Sequence, residues 1–153
     1  MEQAIEHGDA ARARAVREYS RLIERGRREF DRISPTLGML EKSPDDADAN
    51  LAAGRYYYWF KNDWPRGLPM LAIGSDPKLK DLANKDLARP GDPEALVAIG
   101  DGWWELAEDQ PSLQRTCLRS HACELYESAL PSLTSLRRAA VRNRIDEFHN
   151  EGE

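Results

Sequence analysis

Apolar side chains recur every three or four residues along most of this chain, which is the spacing of one face of an α-helix. The clearest case is residues 9–33, whose apolar stripe consists of Val16, Tyr19, Ile23, Gly26, Phe30 and Ile33. No stretch shows the alternation of apolar and polar residues that is typical of a half-buried strand. The hydropathy pattern therefore predicts an all-α fold, in which short connections make neighbouring helices antiparallel.

Proline and capping residues divide the chain into six or seven predicted helices. Ser34-Pro35 predicts the end of the first helix, because the residue before a proline disfavours the α-helical conformation. Ser43-Pro44 predicts the next start, with a capping hydroxyl followed by a proline in the first turn. The later starts are predicted at Asp63, Asp76, Asp92 and Pro111. After a short helical piece at 37–41, the predicted helices cover residues 44–60, 65–73, 77–88, 93–108, 112–130 and 134–148.

Two parts of the chain repeat one pattern, which predicts stacked helical hairpins. Gly54 and Tyr57 in the first part correspond to Gly100 and Trp103 in the second. Such a repeat is typical of units that bury their apolar faces against one another. We predict a single helical domain with an N-terminal helix and linker (1–42), a first hairpin plus extra helix (43–88), a second hairpin (92–133) and a C-terminal helix (134–149).

The second unit resembles a tetratricopeptide repeat in both of its helices. The matching residues are Gly100, Trp103, Ala122, Tyr126, Ala129 and Pro131. The resemblance implies a short tetratricopeptide-like array, in which antiparallel helices touch at small residues and aromatic side chains fill the gaps. It also implies a scaffold function. In the first unit Gly67 corresponds to Ala129, although a proline lies inside that helix.

The stretch from Gly54 to Asp76 is also similar to helical segments that recur in large modular bacterial proteins and have no assigned chemistry. The matching positions are Gly54, Tyr57, Phe60, Lys61, Asp63, Trp64, Gly67, Leu68, Leu71, Ala72, Gly74, Ser75 and Asp76. The similarity implies a helical fold, and it implies that the chain is one piece of a larger bacterial system.

Composition and charge narrow the classes of function. Hydrophobic residues make up 41% of the 153 residues, so disorder over most of the length is not expected. The formal net charge of −5 argues against a protein whose main task is to coat nucleic acid or an anionic membrane. No apolar run approaches the ~20 residues of a membrane span, and the N-terminal residues lack the pattern of a signal peptide. For a complete chain, these features predict a cytoplasmic protein without a membrane partner.

Aromatic residues suggest where a partner could bind. Five consecutive aromatic residues, 56–60, cover the whole circumference of a helix at about 100° per residue. Core packing is the favoured interpretation for these rings. The alternative is that at least one of them lines a groove wall, with Tyr58 and the nearby Arg55 as candidate partner-binding residues. Trp104 lies about 100° from the apolar face of its helix. Among the aromatic residues it is the strongest candidate for a half-exposed ring of the kind enriched in binding hot spots, although packing against the neighbouring unit is the favoured interpretation.

Three carboxylates, Asp101, Glu105 and Glu108, share one face of the same helix at spacings of four and three. Such a face suits a partner segment with basic residues. A solvated face is favoured over a metal or acid–base site, because the Glu-x-x-His motif of di-iron bundles is missing. The chain also lacks a Gly-rich phosphate loop, a nucleophile with a nearby base and Cys/His ligand spacing. We therefore predict no catalytic residue, no metal and no cofactor.

Arginines run down the first helix at spacings of three and four, which is the one feature typical of a polyanion-binding surface. They are Arg14, Arg17, Arg21, Arg25, Arg28 and Arg32. Glutamates such as Glu18 and Glu24 are interleaved with them, so a solvent face stabilised by ion pairs is the favoured interpretation.

These observations predict a non-catalytic protein–protein interaction module that receives a peptide or helix in a groove between hairpins. The first alternative is an accessory protein that binds nucleic acid or phosphate through the arginines of the first helix. The second is an enzyme with a carboxylate site, which a bound metal would support.

Overall fold

Seven α-helices and one short 3-10 turn make up the part of the chain that the structure describes. The computed structural model describes residues 2–150, and within them the side chains of residues 12, 16, 17, 20, 21 and 23–150. The helices are α1 (Glu2–Lys42), α2 (Ala47–Lys61), α3 (Trp64–Ile73), α4 (Pro77–Leu87), α5 (Pro93–Glu108), α6 (Ser112–Ala129) and α7 (Ser135–Asn150), with the 3-10 turn at Leu130–Ser132. The predicted all-α fold is confirmed. Across residues 2–150, none of the helices combines the length and the apolar character needed to cross a membrane.

Three predicted helix starts are confirmed by the hydrogen bonds of their capping aspartates. Asp63 accepts from the backbone N–H of Arg66 at 3.2 Å, and Asp92 accepts from that of Glu94 at 3.3 Å. Asp76 accepts from two backbone N–H groups at the start of α4, at 3.0 and 3.1 Å. A side-chain carboxylate at these positions satisfies donors that the helix itself cannot pair, and its charge suits the positive end of the helix dipole.

Two predicted boundaries are wrong, and both lie between α1 and α2. α1 starts at Glu2 and continues through Pro35 to Lys42, although proline removes one backbone hydrogen bond. Ile33 and Leu37, on either side of the proline, pack against the aromatic residues of α2. This tertiary contact stabilises the helical conformation on both sides of Pro35, where one backbone hydrogen bond is missing. α2 begins at Ala47 because Asp46, and not Ser43, accepts from the backbone N–H of Ala49.

Helices α2 and α3 form the first antiparallel hairpin, and small residues allow their close contact. A Cβ atom placed on Gly67 would lie 3.0 Å from the carbonyl oxygen of Gly54. In the second hairpin, α5 and α6, a Cβ atom on Gly100 would lie 2.6 Å from the ring of Tyr126. The small residues of the repeated pattern thus lie at both helix crossings. α4 packs between the hairpins, against α3 and α5, while α1 packs on α2 and α7 on α6.

The aromatic residues of α2 divide between two groups of buried side chains. Tyr58 joins the main core, where it meets Trp64 and Trp103. Tyr56 and Tyr57 form a smaller cluster with Ile33 of α1. α2 is contacted by α1, α3 and α6, so its aromatic side chains are packed on several sides.

Candidate functional site

An open cleft separates α4 from α5, and so lies between the two hairpins. It encloses about 580 Å³, within the ~300–1,000 Å³ typical of ligand pockets. Small residues on α5, namely Ala95, Ala98 and Gly102, line one side of the cleft. Leu82 of α4 packs directly on Gly102, where an added Cβ atom would lie 2.8 Å from its Cδ1. The small side chains of α5 leave room that a third helix or a peptide can fill.

A second cleft continues the first along α5 towards the C-terminal end of that helix. It encloses about 320 Å³ and shares Lys78, Leu82 and Gly102 with the first, so the two clefts adjoin where Leu82 meets Gly102, and together they are called here the α4–α5 groove. The groove extends along α5 from Ala95 to Asp109, a distance of about 21 Å at 1.5 Å per helical residue. That length accommodates about four turns of a partner helix.

The rims of the α4–α5 groove carry charges of both signs. Lys78 and Lys85 lie on α4, and Lys85 forms an exposed ion pair with Asp81 at 2.6 Å. Glu105 lies on α5 near the far end, and it is the one predicted partner-binding residue that the structure places in this groove.

The prediction that Tyr58 and Trp104 contact a partner at the surface is wrong, because both side chains are buried. Tyr58 is 1% exposed, with its ring centroid 3.8 Å from that of Trp64, and burial raises the pKa of its hydroxyl. Trp104 is 6% exposed, not half exposed. The guanidinium of Arg119 covers the Trp104 ring at 4.4 Å, and Tyr126 packs beside it.

Two of the three carboxylates of the predicted acidic face, Asp101 and Glu108, are held by side chains of α6 and α7. Asp101 accepts hydrogen bonds from Tyr126 and Arg144, and Glu108 accepts from Arg119 at 2.7 Å. Burial raises the pKa of the Tyr126 hydroxyl, and its hydrogen bond to Asp101 raises that pKa further. Asp101 and Glu108 therefore link helices of the second hairpin and α7, so they do not form a free acidic surface for a basic partner.

Arg55 lies apart from the α4–α5 groove. Its Nη2 donates to the carboxylate of Asp76 at 3.1 Å, which connects α2 to the N-cap of α4. Its guanidinium also lies 5.4 Å from the centroid of the Trp59 ring. The residue lines a separate cleft between α1 and α2.

The arginines of α1 are exposed wherever the structure describes their side chains. Arg17, Arg21, Arg25, Arg28 and Arg32 all belong to this exposed set. The side chain of Arg14 lies outside the described residues. Arg32 pairs with Glu29 at 2.7 Å, while the Arg25 guanidinium lies 5.7 Å from the Phe60 ring centroid.

A buried polar network in the core was missed by sequence reasoning. Asp86 of α4 accepts a hydrogen bond from Trp103 Nε1 at 2.8 Å, and its Oδ2 lies 2.6 Å from Nε2 of His121. The imidazole stacks on Trp64 with ring centroids 3.5 Å apart. The network joins α4, α5 and α6. One signal was available, since Asp86 continues the buried stripe of Leu79 and Ala83 along α4.

Among the side chains that the structure describes, no group of three His, Cys, Asp or Glu residues could hold a metal ion. No family model, curated protein or solved structure matches the chain. The fold and the groove together define an all-α array of helical hairpins with an open surface between them.

Proposed function

We propose that this chain is a non-catalytic protein–protein interaction module that binds an amphipathic helix or peptide of a partner in the α4–α5 groove. The observation that supports this function most is the groove itself, which is lined by the small residues of α5 and by Leu82. A partner helix can approach closely where side chains are small, and apolar anchors at helical spacing can then fill the space. The resemblance to a tetratricopeptide array points to the same function.

The partner expected from this groove is an amphipathic helix with mixed charges beside its apolar stripe. Lys78 and Lys85 favour acidic residues on one side of that helix, while Asp81 and Glu105 favour basic residues elsewhere. This expectation replaces the earlier one of a basic segment, because Asp101 and Glu108 are held by arginines.

Filling the groove tests the proposal. Ala98 is exposed, so Ala98→Trp should block the groove without disturbing the core. We expect a partner captured from native extract at ~150 mM salt, after nuclease treatment, to bind this variant at least about tenfold more weakly, because a bulky ring takes the place of the partner's anchors.

The matched control is Ala139→Trp, which adds the same ring at an exposed position of α7. The control should bind the captured partner with wild-type affinity in a titration by surface plasmon resonance. A partner that binds Ala98→Trp as tightly as the wild-type chain would show that the groove is not the binding site.

The alternative of polyanion binding is favoured by one specific observation, the uneven distribution of charge. Residues 12–33 contain eight arginines and four acidic residues, a net charge of +4, whereas residues 34–153 carry a net charge of −6. The described arginines of this segment are exposed on α1, so a basic surface is available despite the acidic chain.

Reversing charge on α1 separates the two functions. We expect the triple variant Arg17→Glu, Arg21→Glu and Arg25→Glu to lose retention on heparin at ~50 mM salt, since polyanion affinity depends on the number of basic contacts. The same variant should retain its protein partner, because none of these arginines lines the α4–α5 groove. Loss of the partner after nuclease treatment of the wild-type chain, together with tight binding to a labelled DNA duplex, would favour the polyanion function instead.

A further inference from the structure

The cleft between α1 and α2, called here the α1–α2 cleft, contains three donor groups that have no acceptor among the described residues. It encloses about 370 Å³. The groups are Arg55 Nε, the Tyr56 hydroxyl and Trp59 Nε1, all on residues of α2 that line the cleft. Trp59 lies four residues after Arg55 and three after Tyr56, so its side chain neighbours both of them on the helix surface.

Burial makes these unpaired donors informative. Tyr56 is 6% exposed, and all three atoms are shielded from solvent. Proteins rarely bury donors without an acceptor, and each exception calls for an explanation. Arg55 and Trp59 are partly buried, and both line the cleft. Three such donors beside one cleft indicate a ligand that supplies acceptors.

The charges around the cleft favour an anion. Glu29 is the one carboxylate among the described residues that line it, and Arg32 already pairs with Glu29. Arg55 Nη2 donates a hydrogen bond to the Asp76 carboxylate, whereas Arg55 Nε has no acceptor in the described part of the chain. The Lys61 ammonium lies 5.8 Å from the Tyr56 ring centroid at the same end of α2. The N–H groups of arginine and tryptophan only donate, so a carboxylate is a suitable partner for them.

The aromatic residues of the cleft favour a ligand with a flat or apolar part. The rings of Tyr56 and Phe60 are stacked, with centroids 6.2 Å apart and an interplanar angle of 24°, and Trp59 lines the same cleft. Aromatic faces provide a large contact area for a ring or a short apolar side chain.

We propose that the α1–α2 cleft is a binding site for a carboxylate carried on an aromatic or apolar group. Two sources share this chemistry, a small aromatic acid and the C-terminal residue of a peptide. The site shares no lining residue with the α4–α5 groove, so a test of this proposal does not depend on the proposed partner-binding function.

Nuclear magnetic resonance of the tryptophan indole N–H groups tests the proposal directly. The Trp59→Phe variant assigns the Trp59 cross-peak. We expect phenylacetate, at constant ionic strength, to shift this cross-peak saturably, because Nε1–H gains a charged acceptor. Phenylacetamide, which keeps the ring but lacks the charge, should bind at least about tenfold more weakly, and acetate alone should also bind more weakly.

Matched variants locate the binding site. Arg32→Gln removes a cation that lines the cleft, from a side chain that is 79% exposed, so the fold should be retained. We expect it to raise the dissociation constant for phenylacetate about fivefold or more. Arg28→Gln changes an exposed arginine of α1 that does not line the cleft, and it should leave the constant within about twofold of wild type. Tyr56→Phe should weaken binding as Arg32→Gln does.

The outcomes are distinct. A tripeptide ending in phenylalanine with a free C-terminus that binds more tightly than phenylacetate identifies a peptide terminus as the source, and weaker binding identifies a small acid. Equal binding of phenylacetamide, equal effects of Arg32→Gln and Arg28→Gln, or no saturable shift would overturn the proposal. Tighter binding of phenyl phosphate than of phenylacetate would overturn the carboxylate assignment in favour of a phosphate site.

Discussion

Replacing Asp86 by alanine is expected to destabilise the folded chain by about 3–5 kcal/mol, because it removes the shared acceptor of a buried polar network. Asp86 is 1% exposed and accepts from Trp103, while its carboxylate also contacts His121. The truncation leaves both rings without their partner and opens a cavity where three helices meet. A typical domain is stable by only about 5–15 kcal/mol, so a large part of the total would be lost.

Urea unfolding followed by circular dichroism measures this effect. Asp81→Ala on the same helix is the matched control, because the Asp81 side chain is 65% exposed and pairs with an exposed lysine. The Asp81→Ala substitution should lower the free energy of unfolding by less than about 1 kcal/mol. If Asp86→Ala does not fold, Asp86→Asn keeps one acceptor oxygen and should show a smaller loss. Equal stability of Asp86→Ala and Asp81→Ala would contradict a structural role for the network.

The second large loss of stability is expected when a side chain is added at the crossing of α2 and α3. A Cβ atom on Gly67 would lie 3.0 Å from the carbonyl oxygen of Gly54 and 3.1 Å from the backbone nitrogen of Tyr58. These are backbone atoms, so relief requires the two helices to move apart. We expect Gly67→Ala to destabilise the chain by about 1–3 kcal/mol, even though alanine is the better helix former by about 1 kcal/mol.

Gly38→Ala provides the comparison, because Gly38 lies in α1 and its added Cβ would meet no described atom within 4 Å apart from the adjacent residues and the backbone of its own helix. This substitution should stabilise the chain by up to about 1 kcal/mol through helix propensity. Both variants are compared with wild type by their free energies of unfolding in urea. A Gly67→Ala chain as stable as Gly38→Ala would mean that the helix crossing tolerates a methyl group.

The elements of the fold could be predicted where the signal is local. The aspartates at positions 63, 76 and 92 cap helices, because a cap depends on one side chain and the next few backbone N–H groups. Pro35 shows the limit of such reasoning. Its local effect opposes a helix, yet contacts of Ile33 and Leu37 with α2 outweigh that effect. Those contacts join residues far apart in sequence, so no local pattern reports them.

The candidate sites could be predicted less well, because exposure depends on what covers a residue. Glu105 lines the α4–α5 groove, and its part in partner binding stays a prediction. The position of Trp104 on its helix suggested a half-exposed ring, but Arg119 of α6 covers that ring. Asp101 and Glu108 share a helix face, as their spacing requires, but arginines from other helices hold both carboxylates.

The sequence by itself determined that the chain is helical and where most helices begin. These properties follow from periodicity and capping, which are local or repeat along the chain. The tertiary structure alone decided which polar groups are buried together, which cations cover which rings, and where grooves remain between helices. Those properties arise from pairs of residues brought together by packing, such as Asp86 with His121 and Arg55 with Asp76. These residues are far apart in sequence, and only the whole fold brings them together. The whole fold likewise creates the two clefts in which we propose binding.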